Sequence, residues 1–221
     1  DGFGFDNVIV GEKDRRVLVE NFTNSPAAAT LDQTWITARF NDQEIKRGVG
    51  NSDFYYINYH TSNPSPDALN LENPVDPGAR SLFFSVSQSP RTIVDGLQNG
   101  PRFNGNFTDL DANGVEADRR ALVNPQFNLV LDTLPTGNSN TISVRLTMSA
   151  NQVHTDPLLT NVILVEKQAT AGDNNYVNVV RKHLFASGGR TITQTFPNIG
   201  DTRIEQADNV AINVPITNPA Q

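Results

Sequence analysis

One stretch of the chain spaces oxygen-bearing side chains as a calcium-binding loop does. Asp109, Asp111 and Asn113 stand at positions 1, 3 and 5 of the stretch, and Gly114 follows at position 6. This is the first half of the pattern that Ca²⁺ coordination requires. The residue at position 12 is Arg120, where a bidentate Glu is needed, and no helical pattern precedes the loop. A polar turn that caps the following helix is favoured, and a calcium site is the alternative.

The other residues that could do chemistry match no catalytic or metal-binding pattern. The three histidines, His60, His154 and His183, are widely separated in the sequence and lack the spacing of metal ligands. The chain contains no Gly-x-Ser-x-Gly nucleophile elbow, which is the mark of one large class of hydrolases. The sequence therefore predicts a protein that is not an enzyme and that has no cofactor. Calcium is the one candidate for a bound ion.

The chain has no cysteine, and the order of its elements makes this absence informative. Residues 15–29 predict a strand, a short loop and the start of a helix, and residues 89–96 predict a proline-led strand and a turn. This order is typical of a thioredoxin-like domain, whose redox members carry Cys-x-x-Cys in the loop before the helix. Here that loop reads Asn-Ser-Pro-Ala-Ala at residues 24–28. Without a thiolate, thiol–disulfide exchange is excluded.

The same segments resemble the Omp28-related outer-membrane protein family of Bacteroidetes. The resemblance lies in VLVENFT (17–23), in Tyr59-His60 at a strand end, in SPRTIVDG (89–96) and in NVVRK (178–182). It covers about residues 15–221 and implies a thioredoxin-like part followed by a β-sandwich part. It also implies a cis bond before Pro90, at the place where thioredoxin-like folds hold a cis-proline. The chain departs from many members in lacking Cys-x-x-Cys after Phe-Thr.

The expected fold class is α/β plus all-β, a thioredoxin-like domain followed by an antiparallel β-sandwich. Residues 1–14 are predicted to be the closing strand of an upstream jelly-roll-like module or an N-terminal arm. Residues 15–124 form the thioredoxin-like domain without redox cysteines, and residues 125–221 form the sandwich. Within the first domain we expect a strand at 15–22, a helix at 26–46, a strand at 53–60, a long loop at 61–78, and helices at 79–86 and 116–123.

Alternating patterns in the second half predict five strands, separated by Asn, Gly, Pro and Asp. The strands are expected at 127–132, 141–150, 158–168, 191–196 and 209–216. One segment, 176–185, is predicted to be helical or an ordered crossover. Arg181 and Lys182 within it could form a basic recognition patch, but in an acidic chain an ion pair with Glu166 or Asp173 is favoured.

Charge and hydropathy restrict the partners. The formal net charge is −7, which argues against nucleic acid and against a polybasic membrane contact. No apolar run approaches the ~20 residues needed to span a bilayer. The expected partners are proteins or other modules of the parent chain, with an outer-membrane complex or a surface glycan as further candidates. The expected location is the cell surface, associated with the outer membrane.

Asp132-Thr133-Leu134 resembles the site at which Bacteroidetes add O-glycans to exported proteins, so Thr133 is a candidate glycosylation site. A polar pair that ends a strand is the alternative. Two N-glycosylation sequons, at Asn21 and Asn106, complete the modification motifs. Asn21 is expected to be buried and unmodified.

Three functions fit this sequence. The first is a non-catalytic structural or adhesive module of an exported surface protein. The second is a redox-inactive thioredoxin-like module that binds peptides or acts as a chaperone, which would need an apolar groove beside Pro90 lined by Phe22, Trp35 or Phe54. The third is an accessory domain of a surface-polymer hydrolase. The absent cysteines and the acidic composition favour the first.

Overall fold

Strands and helices alternate in the first half of the chain. The computed structural model describes residues 15–25, 28, 31, 34–48, 50–97, 104–105, 115–138 and 140–212. Its first elements are β1 (Val17–Thr23), α1 (Trp35–Arg47), β2 (Phe54–His60), α2 (Ala68–Glu72), α3 (Val75–Phe83), β3 (Arg91–Val94), a 3₁₀ turn (Asp95–Leu97), β4 (Asn104–Gly105) and α4 (Val115–Ala121). Strands dominate the rest: β5 (Phe127–Leu134), β6 (Thr141–Ala150), β7 (Leu158–Thr160), β8 (Ile163–Ala171), β9 (Asn174–His183), β10 (Arg190–Ile192) and β11 (Thr202–Ala211).

The main sheet has six strands in the order β4-β3-β1-β2-β9-β8. Strands β1 and β2 are parallel, with Val17 opposite Phe54 and Thr23 opposite His60, whereas β3 and β4 are antiparallel additions. The arrangement 4-3-1-2, with a helical segment between β1 and β2 and further helices before β3 and after β4, is that of a thioredoxin-like core. The first half is therefore mixed α/β, as the sequence predicts.

Both faces of this sheet are covered, so six of the seven residues in each of β1 and β2 are buried, as expected of strands at the centre of a sheet. On one face Val17 and Val19 pack in a cluster with Ile36 and Phe40 of α1. On the other face Phe22 stacks on Tyr59, with 5.0 Å between ring centroids. Burial on both sides makes β1 the centre of the molecule.

The predicted boundary at residue 125 does not separate two sheets. Strand β9 pairs in parallel with β2 at Asn58 and Val179, and β8 pairs antiparallel with β9. Residues 163–183 therefore extend the first sheet, and the predicted sandwich over 125–221 is not formed as such. The prediction that 176–185 is helical or an ordered crossover is also wrong, because residues 176–183 belong to β9. The Val-rich pattern of this segment fits the period of a helix or of a strand. The segment forms a strand because it lies in the sheet between β2 and β8.

The remaining strands form a three-stranded sheet, β11-β6-β5, and a two-stranded sheet, β10-β7. One cluster joins Val144, Leu146 and Met148 of β6 to Ile192 and Phe196. The predicted strand at 158–168 is divided into β7 and β8. Residues 213–221, which include the end of the strand predicted at 209–216, lie outside the described residues.

One loop prediction and one helix prediction in the first half need correction. The segment predicted as a loop at 61–78 contains α2 and the start of α3. Pro74 and Pro77 are tolerated because they occupy the N-cap and first turn of α3, where a backbone N–H has no intrahelical partner. The helix predicted at 26–46 is interrupted at Thr34, whose backbone is extended. The hydroxyl of Thr34 donates to the carbonyl of Leu31 at 2.8 Å, a bond that competes with helix continuation.

Candidate functional site

The carboxyl ends of β1 and β2 meet at one end of the main sheet, where a thioredoxin-like protein would carry its dithiol. Thr23 and His60 end these strands side by side. The peptide bond between Ser89 and Pro90, just before β3, is cis, which is the geometry expected for that position. The side chains gathered here are polar and largely buried. They define the candidate site.

Asp67 is the centre of this site. Its Oδ2 atom accepts hydrogen bonds from the backbone N and the Oγ of Ser25, at 2.7 and 2.8 Å. The same oxygen lies 3.0 Å from Nδ1 of His60. Its Oδ1 atom accepts from the backbone N–H groups of Leu69 and Asn70, so Asp67 is also the N-cap of α2. One carboxylate thus ties the loop after β1, the end of β2 and the start of α2 together.

The environment of Asp67 favours its charged form. Burial alone would raise the pKa of this carboxyl, but the hydrogen bond and the charge of His60 oppose that effect, with help from Ser25 and Asn70. The net result lowers its pKa from 3.8 to about 2. The carboxylate is consequently ionised across the physiological range, as its five hydrogen-bond donors require.

The geometry of Ser25, His60 and Asp67 differs from that of a Ser-His-Asp catalytic triad. In a Ser-His-Asp triad the histidine lies between the nucleophile and the carboxylate and accepts the hydroxyl proton. Here the carboxylate lies between them, because Ser25 and His60 both bind Oδ2 of Asp67. The hydroxyl of Ser25 donates to an anion that is a weak base at its lowered pKa. This arrangement holds Ser25 in place and does not activate it.

A second set of hydrogen bonds closes the loops around the site. The side-chain amide of Asn24 donates to the carbonyls of Thr61 and Ser65, at 2.8 and 2.7 Å. The hydroxyls of Thr61 and Ser89 lie 2.6 Å apart, and Asn70 donates to the carbonyl of His60 at 2.8 Å. The backbone groups that strand ends leave unpaired are therefore satisfied by neighbouring side chains.

A polar row lies one layer deeper, on the α1 face of the sheet. Thr92 of β3 donates to Asn21 of β1 at 3.0 Å, and Asn21 donates to Asn58 of β2 at 2.9 Å. Asn58 in turn donates to the carbonyl of Val177 in β9 at 2.7 Å. The row crosses four strands and fixes their register, since a shift of any strand would leave buried amides unpaired. Asn21, the first residue of one N-glycosylation sequon, is fully buried, as the sequence predicts.

A cleft of about 230 Å³ lies beside the candidate site. Its walls are mainly uncharged polar residues, among them Thr61, Asn63, Asn70 and Ser89. The apolar groove that peptide binding would need is not seen there. Of the residues expected to line that groove, Phe22 and Phe54 are buried in the interior. The ring of Trp35 is covered by the guanidinium of Arg39, whose Cζ lies 5.0 Å from the ring centroid.

The opposite face of the sheet holds a second buried polar group. Glu20 and Arg80 form a bidentate ion pair with distances of 2.7 and 2.9 Å. The hydroxyl oxygen of Tyr59 lies 3.1 Å from Nε2 of His183. Oδ2 of Asp76 accepts a hydrogen bond from the backbone N–H of His183 at 3.1 Å. Burial lowers the pKa of His183 from 6.5 to about 4, against the opposing charge of Asp76. Burial and the charge of Glu20 raise the pKa of Tyr59. His183 is therefore neutral at neutral pH.

Arg181 makes the ion pair predicted for it. Its Nε lies 2.6 Å from Glu166 and its Nη1 lies 2.7 Å from Glu72. The guanidinium is buried, so the interpretation as a recognition patch is wrong for this residue. The sequence pointed to Glu166 but not to Glu72, because α2 was predicted as loop.

Three predicted site residues cannot be placed: Asp109, Asp111 and Asn113 lie outside the described residues. Among the residues that the structure does describe, no group of three His, Asp or Glu side chains is arranged to hold a metal ion. Thr133 is exposed on β5. Sequence reasoning missed Asp67. Its one available signal was the string Asp67-Ala68-Leu69, an N-cap residue before an apolar position.

These features define the class of the chain: a mixed α/β protein with a thioredoxin-like core and a hydrogen-bonded polar cluster in place of a dithiol. A comparable fold is found in a solved structure of HBP35 of Porphyromonas gingivalis, with a TM-score of 0.59 and 13% identity. The likeness covers 89% of this chain and 65% of that one, so this chain spans less than two thirds of the length of its neighbour. At this identity the likeness concerns the fold. No protein-family model and no curated protein sequence matches the chain.

No helix among the described residues is both long and apolar enough to cross a bilayer.

Proposed function

We propose that this chain is a non-catalytic structural or adhesive module of an exported bacterial cell-surface protein, related to the Omp28-related proteins. The observation that carries the proposal is the network at Asp67. The loop in which redox thioredoxin-like proteins carry their dithiol here contains Ser25, which is bound twice to a buried carboxylate. A site in which one buried carboxylate joins three segments of the chain serves rigidity rather than turnover.

Location is the part of this proposal that can be tested directly. The parent protein would be tagged within an exposed loop and expressed in its source organism, and intact cells would be treated with a protease. The proposal predicts loss of the tag without lysis, while a tagged cytoplasmic control stays intact. Retention of the tag in intact cells, with loss after lysis, would contradict it.

The second candidate is a redox-inactive module that binds peptides through their backbone. The cleft beside Ser89 is not the apolar groove expected for side-chain recognition, but it is lined by polar groups. Its walls offer hydroxyl and amide groups that could pair with an extended backbone. Titration of unstructured peptides into ¹⁵N-labelled protein would test it. Shifts confined to Thr61, Asn63 and Ser89 would support this function over a purely structural one, and shifts elsewhere or none would reject it.

A further inference from the structure

Strand β5 is unusually open to solvent. It pairs with β6 on one side, and among the described residues no strand pairs with its other edge. Three consecutive apolar side chains in its middle are more than half exposed: Leu129 at 62%, Val130 at 56% and Leu131 at 54%. A strand normally hides alternate residues, so exposure of all three means that neither face is covered.

The register shows which face should have been covered. Leu129 and Leu131 lie opposite Met148 and Leu146 of β6, whose side chains are buried. Directly opposite residues of an antiparallel pair share a face, so the two leucines continue the inner face of the sheet. The residues that pack on the inner face of β6 do not extend over Leu129 and Leu131.

An edge of this kind is normally protected. Natural proteins shorten such strands or place Lys or Pro in them, because the unpaired N–H and C=O groups recruit further strands. Strand β5 has eight residues and contains no Lys, Arg or Pro. Its one charged residue is Asp132. The edge is therefore suited to pairing.

We propose that β5 pairs antiparallel with β5 of a second copy of this chain, about a two-fold axis at Val130. In this register Leu129 lies opposite Leu131 of the second copy, on the inner face. On the outer face Asn128 lies opposite Asp132 of the second copy, so an amide donor meets the carboxylate. The two strands are thus complementary to themselves, as an isologous interface requires.

Neighbouring registers are less favourable. An axis at Leu131 would place Val130 opposite Asp132, an apolar side chain against a carboxylate. An axis at Leu129 would place Asn128 opposite Val130, an amide against an apolar side chain, and would place Asp132 opposite Gln126, which lies outside β5. Of these three axes, the one at Val130 pairs both Leu129 with Leu131 and Asn128 with Asp132 within β5.

The product is a continuous six-stranded sheet, β11-β6-β5 followed by β5-β6-β11 of the second copy. Ile204, Thr147 and Val130 form one row on the outer face of each half. Pairing about Val130 would join the two rows. The exposed leucines of both copies would cover one another on the inner face.

The test uses two opposite substitutions at one exposed position. Asn128→Asp places two carboxylates opposite each other at both symmetric positions, whereas Asn128→Lys creates two ion pairs. Sedimentation equilibrium of the full chain should show a dimer whose dissociation constant rises on the order of tenfold for N128D and falls by a smaller factor for N128K. Val130→Lys should weaken dimerisation more strongly, since it brings two ammonium groups together at the axis.

Ile204→Lys is the matched control, because Ile204 is equally exposed but lies on the other edge strand. It should leave the dissociation constant unchanged, and circular dichroism should show that all four variants are folded. A chain that is monomeric at every concentration would overturn the proposal. So would shifts in the same direction for N128D and N128K. A monomer that dimerises only after deletion of residues 1–14 would show that the chain covers β5 itself, and would also overturn it.

Discussion

Ser25 and Asp67 are joined by two hydrogen bonds to a single carboxylate oxygen, one from the backbone N at 2.7 Å and one from Oγ at 2.8 Å. The two residues are 42 positions apart in the chain, on opposite sides of β2 in sequence. Through them the loop after β1 is attached to the first turn of α2. This attachment is where the site differs most from a redox centre, because it commits both polar groups of Ser25.

Asp67→Asn should destabilise the fold by about 2 kcal/mol, because charge-assisted hydrogen bonds are replaced and one amide oxygen cannot accept from five donors. Ser25→Ala should cost about 1 kcal/mol, and the two changes should be less than additive because they remove the same bond. Urea unfolding measures both. Asp42→Asn, which removes an exposed i,i+4 pair with Lys46, is the control and should cost less than about 0.5 kcal/mol. Equal costs for D67N and D42N would show that the network contributes little.

Acid should weaken the fold through Asp67. Its pKa in the folded chain is about 2, below the ordinary 3.8, so the unfolded chain binds the proton more readily. The stabilisation is complete above the ordinary pKa and is lost as the pH falls through the lower one. Urea midpoints measured across this range should fall less steeply for D67N than for the unsubstituted protein. Parallel pH profiles would contradict the assigned shift.

His183 predicts a second, separate pH dependence. Its folded pKa is about 4, against 6.5 in its ordinary state, so the neutral form is favoured by burial. Stability is therefore complete above the ordinary pKa and declines as the pH falls toward the lower one. His183→Gln should flatten this part of the profile, and His154→Gln serves as the control at another histidine. The variant would argue against the assignment if it left the slope unchanged.

Arg181 predicts a large effect of a single substitution. Arg181→Met should destabilise the fold by about 3–5 kcal/mol, because it leaves Glu166 buried without its cation. Replacing both residues with apolar ones, as in R181M/E166L, should recover much of that loss. Arg145→Met on the exposed face of β6 should have little effect. If the double variant were as unstable as R181M alone, the cost would come from packing and not from the unpaired carboxylate.

Calcium is expected to leave stability unchanged. The loop at Asp109, Asp111 and Asn113 lacks the bidentate ligand at its last position, which is Arg120, and such a loop binds Ca²⁺ poorly. Thermal unfolding with added CaCl₂ or with EDTA should give the same Tm. A rise with calcium that disappears in the Asp111→Ala variant would instead establish the calcium site.

Several local elements of the first half could be predicted because their signals are local. Strand β2 was expected at 53–60 and lies at Phe54–His60, since a run of aromatic and β-branched residues has one favourable structure. The ion pair between Arg181 and Glu166 could be anticipated because an isolated cation in an acidic chain needs a carboxylate. The missing dithiol followed directly from the absence of cysteine.

Tertiary structure decided the rest. Residues 176–185 have a pattern compatible with helix or strand, and the open edge of β2 made them a strand. Asp67 looked like one acidic residue in a proline-rich loop, and only the folded chain brings Ser25 and His60 to it. Long-range pairing between strands and the sharing of one carboxylate by three segments depend on contacts between distant residues. Such contacts produce no regular spacing of residues in the sequence. The sequence alone therefore determined the fold class of the first half. It did not determine which strands belong to its sheet or which residues form its polar site.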